Sequence, residues 1–137
     1  MSFELRAHTA DVAVAASGAA LGETFAAVAD GLAAAMCQEV PPERGGRYEV
    51  EVLAESRESL LFDYLDELIY RRDVEAVLPV DHEAHVAETD GGWRLSGSFR
   101  GVPFADVVAR DVKAVTYSEM RIEPEADGWT AYVVLDV

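Results

Sequence analysis

The stretch from Arg57 to Arg72 constrains the fold most, because its apolar residues recur at the spacing of one helix face. Leu61, Tyr64, Leu65, Leu68 and Ile69 lie on one side, with Asp63, Asp66 and Glu67 largely on the other. That periodicity describes an amphipathic helix. Ser56 offers a cap at its start, and Arg71 and Arg72 close it where cations oppose the helix dipole favourably. A second helix is expected from Leu21 to Met36, where Leu21, Phe25, Val28, Leu32 and Met36 follow one another at intervals of four, three, four and four. The alanines between them favour helix, Gly22 and Gly31 weaken it, and Ser17-Gly18 reads as the turn and cap ahead of it.

The remaining segments carry the signals of strands and turns. Phe3 to Ala7 and Asp11 to Ala15 are expected as short strands, with His8-Thr9-Ala10 as a bend or bulge between them. Tyr48, Val50 and Val52 alternate with Arg47, Glu49 and Glu51, the pattern of a half-buried strand after the Pro41–Gly46 loop. Beyond the Arg57–Arg72 helix, strands are expected over Val74–Val80, His82–Thr89, Trp93–Phe99, Asp106–Ile122 and Trp129–Val137. Asp90-Gly91-Gly92 and Asp127-Gly128 supply hairpin turns. With no repeat and no linker, residues 1–137 are expected to form a single α+β domain, two helices packed on a mostly antiparallel β-sheet.

A chain of 137 residues can bury a core without disulfides or metals. Its one cysteine, Cys37, excludes an internal disulfide, fits a reducing cytoplasm and suits core packing better than nucleophilic use. No apolar run approaches the roughly 20 residues that cross a bilayer. The segment Met1–Arg6 lacks the regions of a signal peptide, so a cytoplasmic location without membrane contact is expected. Twenty-six acidic residues against eleven basic ones leave a net charge of −15. That balance fits the salty cytoplasm of a halophile. It argues against direct, high-affinity nucleic-acid binding, which rests on Lys and Arg at phosphates.

Ten of the eleven basic residues are arginine, and the only lysine, Lys113, lies in the short apolar run Asp111–Tyr117. On a strand it would share a face with Asp111, Val115 and Tyr117. Either its stem packs there with the ammonium in water, or it stands beside a functional carboxylate cluster. Two carboxylates could build such a cluster. Asp136 follows Tyr132 and Val134 along the last strand, and Asp11 opens an early strand just after a bend. Pairing of those strands would bring both together with the terminal carboxylate of Val137. Oxygen-only ligands of this kind suit Ca²⁺ or Mg²⁺ rather than zinc. The competing reading is a solvated acid at a strand end. His8 is a further candidate ligand, although a lone histidine in a bend more often serves structure. His82 and His85 have no zinc-site spacing, and no nucleophile–base–orienter set is present.

Four pieces, taken in order, resemble the archease family over essentially the whole chain. They are His8-Thr9-Ala10-Asp11, Leu60-Leu61-Phe62-Asp63-Tyr64-Leu65-Asp66-Glu67-Leu68-Ile69-Tyr70, Val112-Lys113-Ala114-Val115-Thr116-Tyr117 and Leu135-Asp136-Val137. One departure is Ser118, where the family often has histidine. The resemblance implies a strand–helix–strand–strand-like module with inserted elements. It also implies a non-enzymatic accessory protein of the RtcB-family tRNA-splicing RNA ligase, promoting guanylylation of the ligase's active-site histidine and its multiple turnover. A divalent-cation site, calcium in the family, would fall on Asp11, Asp136 and Val137, and an essential lysine on Lys113. Two alternatives stand beside it: a chaperone-like modulator of an RNA-modifying enzyme such as a tRNA cytosine methyltransferase, and a metal-dependent hydrolase.

Overall fold

A computed structural model of the chain describes residues 2–8, 11–37, 45–104 and 112–137. Among the described residues the order is β1 (Ser2–His8), β2 (Asp11–Gly18), α1 (Leu21–Met36), β3 (Gly46–Ala54), α2 (Arg57–Glu75), β4 (Val77–Thr89), β5 (Gly92–Pro103), β6 (Ala114–Glu125) and β7 (Gly128–Asp136). The strands form two separate sheets, ordered β1-β2-β7-β6 and β3-β5-β4. Every pairing is antiparallel. The expected α+β domain with two helices therefore stands, with its sheet divided in two.

Helix α1 is the wedge between those sheets. Gly22 and Gly31, nine residues apart, sit half a turn from each other around a helix of 3.6 residues per turn. A Cβ at Gly22 would collide with the Ala84 carbonyl oxygen of β4, and one at Gly31 with the Val14 side chain of β2. The two glycines that weaken the helix as a sequence are thus what lets a sheet approach it from each side. Phe25, Val28, Leu32 and Met36, the stripe read from spacing, are all buried, as are Ala26, Ala27, Ala29, Ala33 and Ala35 around them. Cys37 is buried in the same core. The cap differs from expectation: β2 runs on through Ser17-Gly18, and the N-cap is Ala20, with no side-chain cap bond.

Helix α2 starts where Ser56 predicts. The Ser59 amide donates to Ser56 Oγ at 3.0 Å, and the Ser56 amide donates to Ser59 Oγ at 3.1 Å, a reciprocal cap. It overruns its expected end, taking in Val74 and Glu75 before Ala76 turns left-handed at φ 53°. Val74 is therefore helical, and the next strand begins at Val77. The two strands expected over 74–89 are one, β4, with a bulge where Asp81 and His82 together stand opposite Phe99. Arg47 of β3 donates to the Asp81 carbonyl at 2.8 Å, and Arg100 of the adjacent β5 bonds the Asp81 carboxylate at 2.6 Å, so the bulge is pinned by the other two strands of its sheet.

The bulge turns His82 inward, where Asp30 of α1 receives it. Asp30 Oδ1 lies 2.7 Å from His82 Nδ1 and accepts the His82 amide at 3.1 Å. His82 Nε2 and the hydroxyl of Tyr64 are both buried without a hydrogen-bond partner. Far from this point, Arg57 reaches over Trp93 of β5 at 5.8 Å and Trp129 of β7 at 5.0 Å. One cation thereby joins the two sheets through their aromatic faces.

Two outcomes follow from this packing. Gly22→Ala should lose about 1–3 kcal/mol in urea denaturation despite alanine's better helix propensity, because the new methyl meets backbone; Gly31→Ala, meeting a side chain that can rotate, should lose less. Burial first, then the Asp30 charge, pushes the Tyr64 hydroxyl far above its ordinary value of 10.0, with Arg47 opposing. The unfolded chain sheds that proton near pH 10 while the folded one keeps it, so the contribution is complete below pH 10 and falls above it. Thermal melts followed from pH 8 to 12 should show this alkaline loss, and Tyr64→Phe should reduce it without loss of stability at neutral pH.

Candidate functional corner of the four-stranded sheet

Strand β7 buries Ala131, Val133, Val134 and Leu135 and then ends at exposed Asp136. It lies between β2 and β6, so its last residue has a neighbour on each side. Asp136 is the register partner of Asp11 on β2 and of Ala114 on β6, while Asp11 is the partner of His8 on β1. His8, Asp11, Asp136 and Ala114 thus form one row straight across the sheet at a single end. Directly opposed residues on antiparallel strands have Cβ atoms roughly 4.5–5.5 Å apart. The side chains of His8 and Asp11 lie outside the described residues, as does Asp111.

Lys113 adjoins this row. Its amide donates to the Asp136 carbonyl at 2.8 Å, and its side chain is exposed. Strand β6 begins only at Ala114, so Lys113 precedes the ladder, and the expected sharing of a strand face with Val115 and Tyr117 does not hold. Val115 is buried in the core. Tyr117 has left the regular ladder and stacks on Phe62 of α2, ring centroids 4.2 Å apart and planes 6° from parallel. Partial burial and then the Asp63 carboxylate push the Tyr117 hydroxyl upward. No ion pair joins Lys113 to Asp136 among the described residues.

The strand expected over Asp106–Ile122 is β6, Ala114–Glu125, with residues 105–111 outside the described part. Its ladder is interrupted: Thr116 pairs with Val134 and Arg121 with Tyr132, so residues 117–120 all stand against Val133 alone. Glu119 takes a left-handed φ of 58° there, and the Ser118 amide donates to Thr116 Oγ1 at 3.0 Å. Ser118, the departure from the family pattern, is therefore an exposed residue of a four-residue bulge, five residues along the chain from Lys113.

Among the described residues no group of three or more His, Cys, Asp or Glu is gathered as for a metal ion. At the corner itself the described donors are the Asp136 carboxylate and main-chain oxygens of Asp136 and Val137. Those are hard oxygen donors, of the type that suits Ca²⁺ or Mg²⁺, with Asp11 the register partner that could add a second carboxylate. A concavity of about 440 Å³ on the same sheet, lined by residues including Phe3, Ala15, Arg121 and Tyr132, contains none of the corner residues. Two side chains escaped the sequence reading. Arg72, read only as a cation closing the helix against its dipole, is buried, and His82 is a core residue held by Asp30. Neither is distinguishable by spacing, since a helix-end arginine and a strand histidine look alike whether turned in or out.

No described helix is long and apolar enough to cross a membrane. The sequence profile of the archease protein family matches residues 3–137. The protein archease of Pyrococcus abyssi is 36% identical over 134 residues, covering 95% of this chain and 94% of that one. The Archaeoglobus fulgidus protein archease is 36% identical over 140 residues, covering all of both. The solution structure of Methanobacterium thermoautotrophicum protein 1598 superposes with a TM-score of 0.86 at 33% identity, over 99% of each chain. A crystal structure from Thermotoga maritima, described as an archease and possible chaperone, shares the fold at a TM-score of 0.66 and 22% identity, over 98% of this chain and 96% of that one. By matched length, sequence and fold together, the chain belongs to the archease family.

Proposed function

We propose that this protein activates an RtcB-family tRNA-splicing RNA ligase in the cytoplasm, promoting guanylylation of the ligase and its repeated turnover, and performs no catalysis itself. The observation that carries this reading is the row Asp11–Asp136 with the amide of the only lysine bonded to it. Such a corner combines oxygen donors with an exposed lysine anchored through its amide at one end of the sheet. Asp11, Asp136 and Val137 would hold a divalent cation, calcium by preference, and His8 adjoins them in the same row. A bound cation would organise these oxygens and neutralise their charge. Lys113 would pair with a phosphate of the nucleotide or with a carboxylate of the partner. An ammonium is suited to this as a mobile point charge, where arginine would impose a planar fork. With a net charge of −15, the chain meets RNA through its partner rather than by holding the strand itself.

The decisive measurement is multiple-turnover ligation by an RtcB-family ligase with a catalytic amount of this protein. Asp136→Ala and Lys113→Ala should each reduce the stimulation at least tenfold while leaving the melting temperature within a few degrees. Wild-type stimulation by both would remove the corner from the mechanism. Calcium should raise the melting temperature of the wild-type protein. Asp136→Asn should abolish that rise, and chelation should reverse it.

A second reading takes the description of the Thermotoga maritima relative as a possible chaperone. On it, the same corner recognises an RNA-modifying enzyme such as a tRNA cytosine methyltransferase. A stoichiometric complex with that enzyme, with no change in ligase guanylylation, would select it.

A further inference from the structure

The buried guanidinium of Arg72 bonds a peptide carbonyl next to the corner. Arg72 lies in the last turn of α2, its side chain 9% exposed. Its Nη1 donates to the Val112 carbonyl at 2.8 Å and faces Met36 Sδ of α1 at 3.4 Å, while Nε donates to Asp73 Oδ1 at 3.0 Å. The carbonyl of Val112 and the amide of Lys113 belong to the same peptide plane. That amide is the one that donates to the Asp136 carbonyl at 2.8 Å. A single planar unit is therefore gripped at both ends, by a buried cation from the helix and by the last residue of β7.

We infer that Arg72 is a positioning residue for the corner: it fixes the plane of the Val112–Lys113 peptide, and with it the direction in which Lys113 leaves the backbone and the seating of Asp136. Three properties make the grip effective. A hydrogen bond from a charged donor is shorter and stronger than a neutral one. Drawing electron density toward the carbonyl oxygen makes the amide of the same unit a better donor to Asp136. The peptide itself is rigid, so holding its oxygen fixes its nitrogen. Val112 is fully buried beside this contact, which keeps water from replacing the guanidinium. The fork geometry is also needed, because several acceptors in different directions are served at once; an ammonium at the same place could keep the carbonyl bond and lose the others.

The functional half of this inference rests on the ligase reading above; the structural half does not. Amide hydrogen exchange of Lys113, read by NMR against Val115 and Leu135 as internal references, tests the grip without any ligase. In Arg72→Met the Lys113 amide should exchange at least tenfold faster while the references stay protected, and Arg72→Lys should restore part of the protection. Arg57→Ala, which loosens the opposite end of the sheets, should produce no selective change at Lys113 and serves as the control for general destabilisation. Unchanged protection of Lys113 in Arg72→Met, or a loss shared equally with the references, would overturn the grip. Should Arg72→Met fold poorly, Arg72→Lys decides the same question by the same comparison. In ligation, Arg72→Met should lower the maximal stimulation at least fivefold with little change in the half-saturating concentration. Full stimulation by Arg72→Met alongside failure of Lys113→Ala would refute the positioning role and leave the ligase reading intact. Full stimulation by Lys113→Ala would count against the ligase reading alone, with the exchange data still deciding the grip.

Discussion

The ladder between β2 and β7 is the constraint on which the rest depends. It joins Asp11–Gly18 to the stretch Trp129–Asp136, more than a hundred residues later in the chain. Closing such a loop costs entropy that only a well-formed interface can offset. The buried faces of Val14, Val133 and Leu135 against the α1 stripe supply that interface. Once the ladder is in register, the end of β7 is fixed, and with it the position of Asp136 between the beginnings of β2 and β6. The candidate corner is therefore placed by backbone pairing as the core forms.

The helices were the most legible part of the sequence because burial imposes a period on them. Helix α1 spans the residues its stripe predicts, and α2 departs only at its end, where Val74 and Glu75 continue the helix against a strand propensity that β-branched Val74 would otherwise express. Strand existence was also legible, from alternation and turn chemistry. What could not be read was the division into two sheets and the order of strands within them, since pairing partners leave no mark on a single strand. The bulges at Asp81–His82 and 117–120 escaped for a related reason: each is an excess of residues on one strand relative to a partner far away in sequence.

The candidate site shows the same division. Asp136, Asp11 and Lys113 stood out one by one, through an acid closing an apolar strand, an acid opening one and an ammonium in a chain of arginines. Their adjacency follows from the register of three strands and was available beforehand only as a condition. Arg72 was assigned to the helix dipole on sequence grounds, and its location in the last turn of α2 agrees with that. The burial that gives it a second task arises from the approach of Val112 and Met36, which come from elsewhere in the chain.

The placement of the two tryptophans has a spectroscopic consequence. Trp93 and Trp129 are the whole indole content of the chain, and both flank Arg57 at the far end of the sheets. Trp129 is seven residues from Asp136 along β7, about 24 Å at the rise of an extended strand. Intrinsic emission at 295 nm excitation therefore reports on the sheet-joining end and is nearly blind to events at the acidic corner. Quenching or a wavelength shift on adding an ion that binds at the corner marks a rearrangement transmitted through the sheets, whereas a silent titration is compatible with tight local binding.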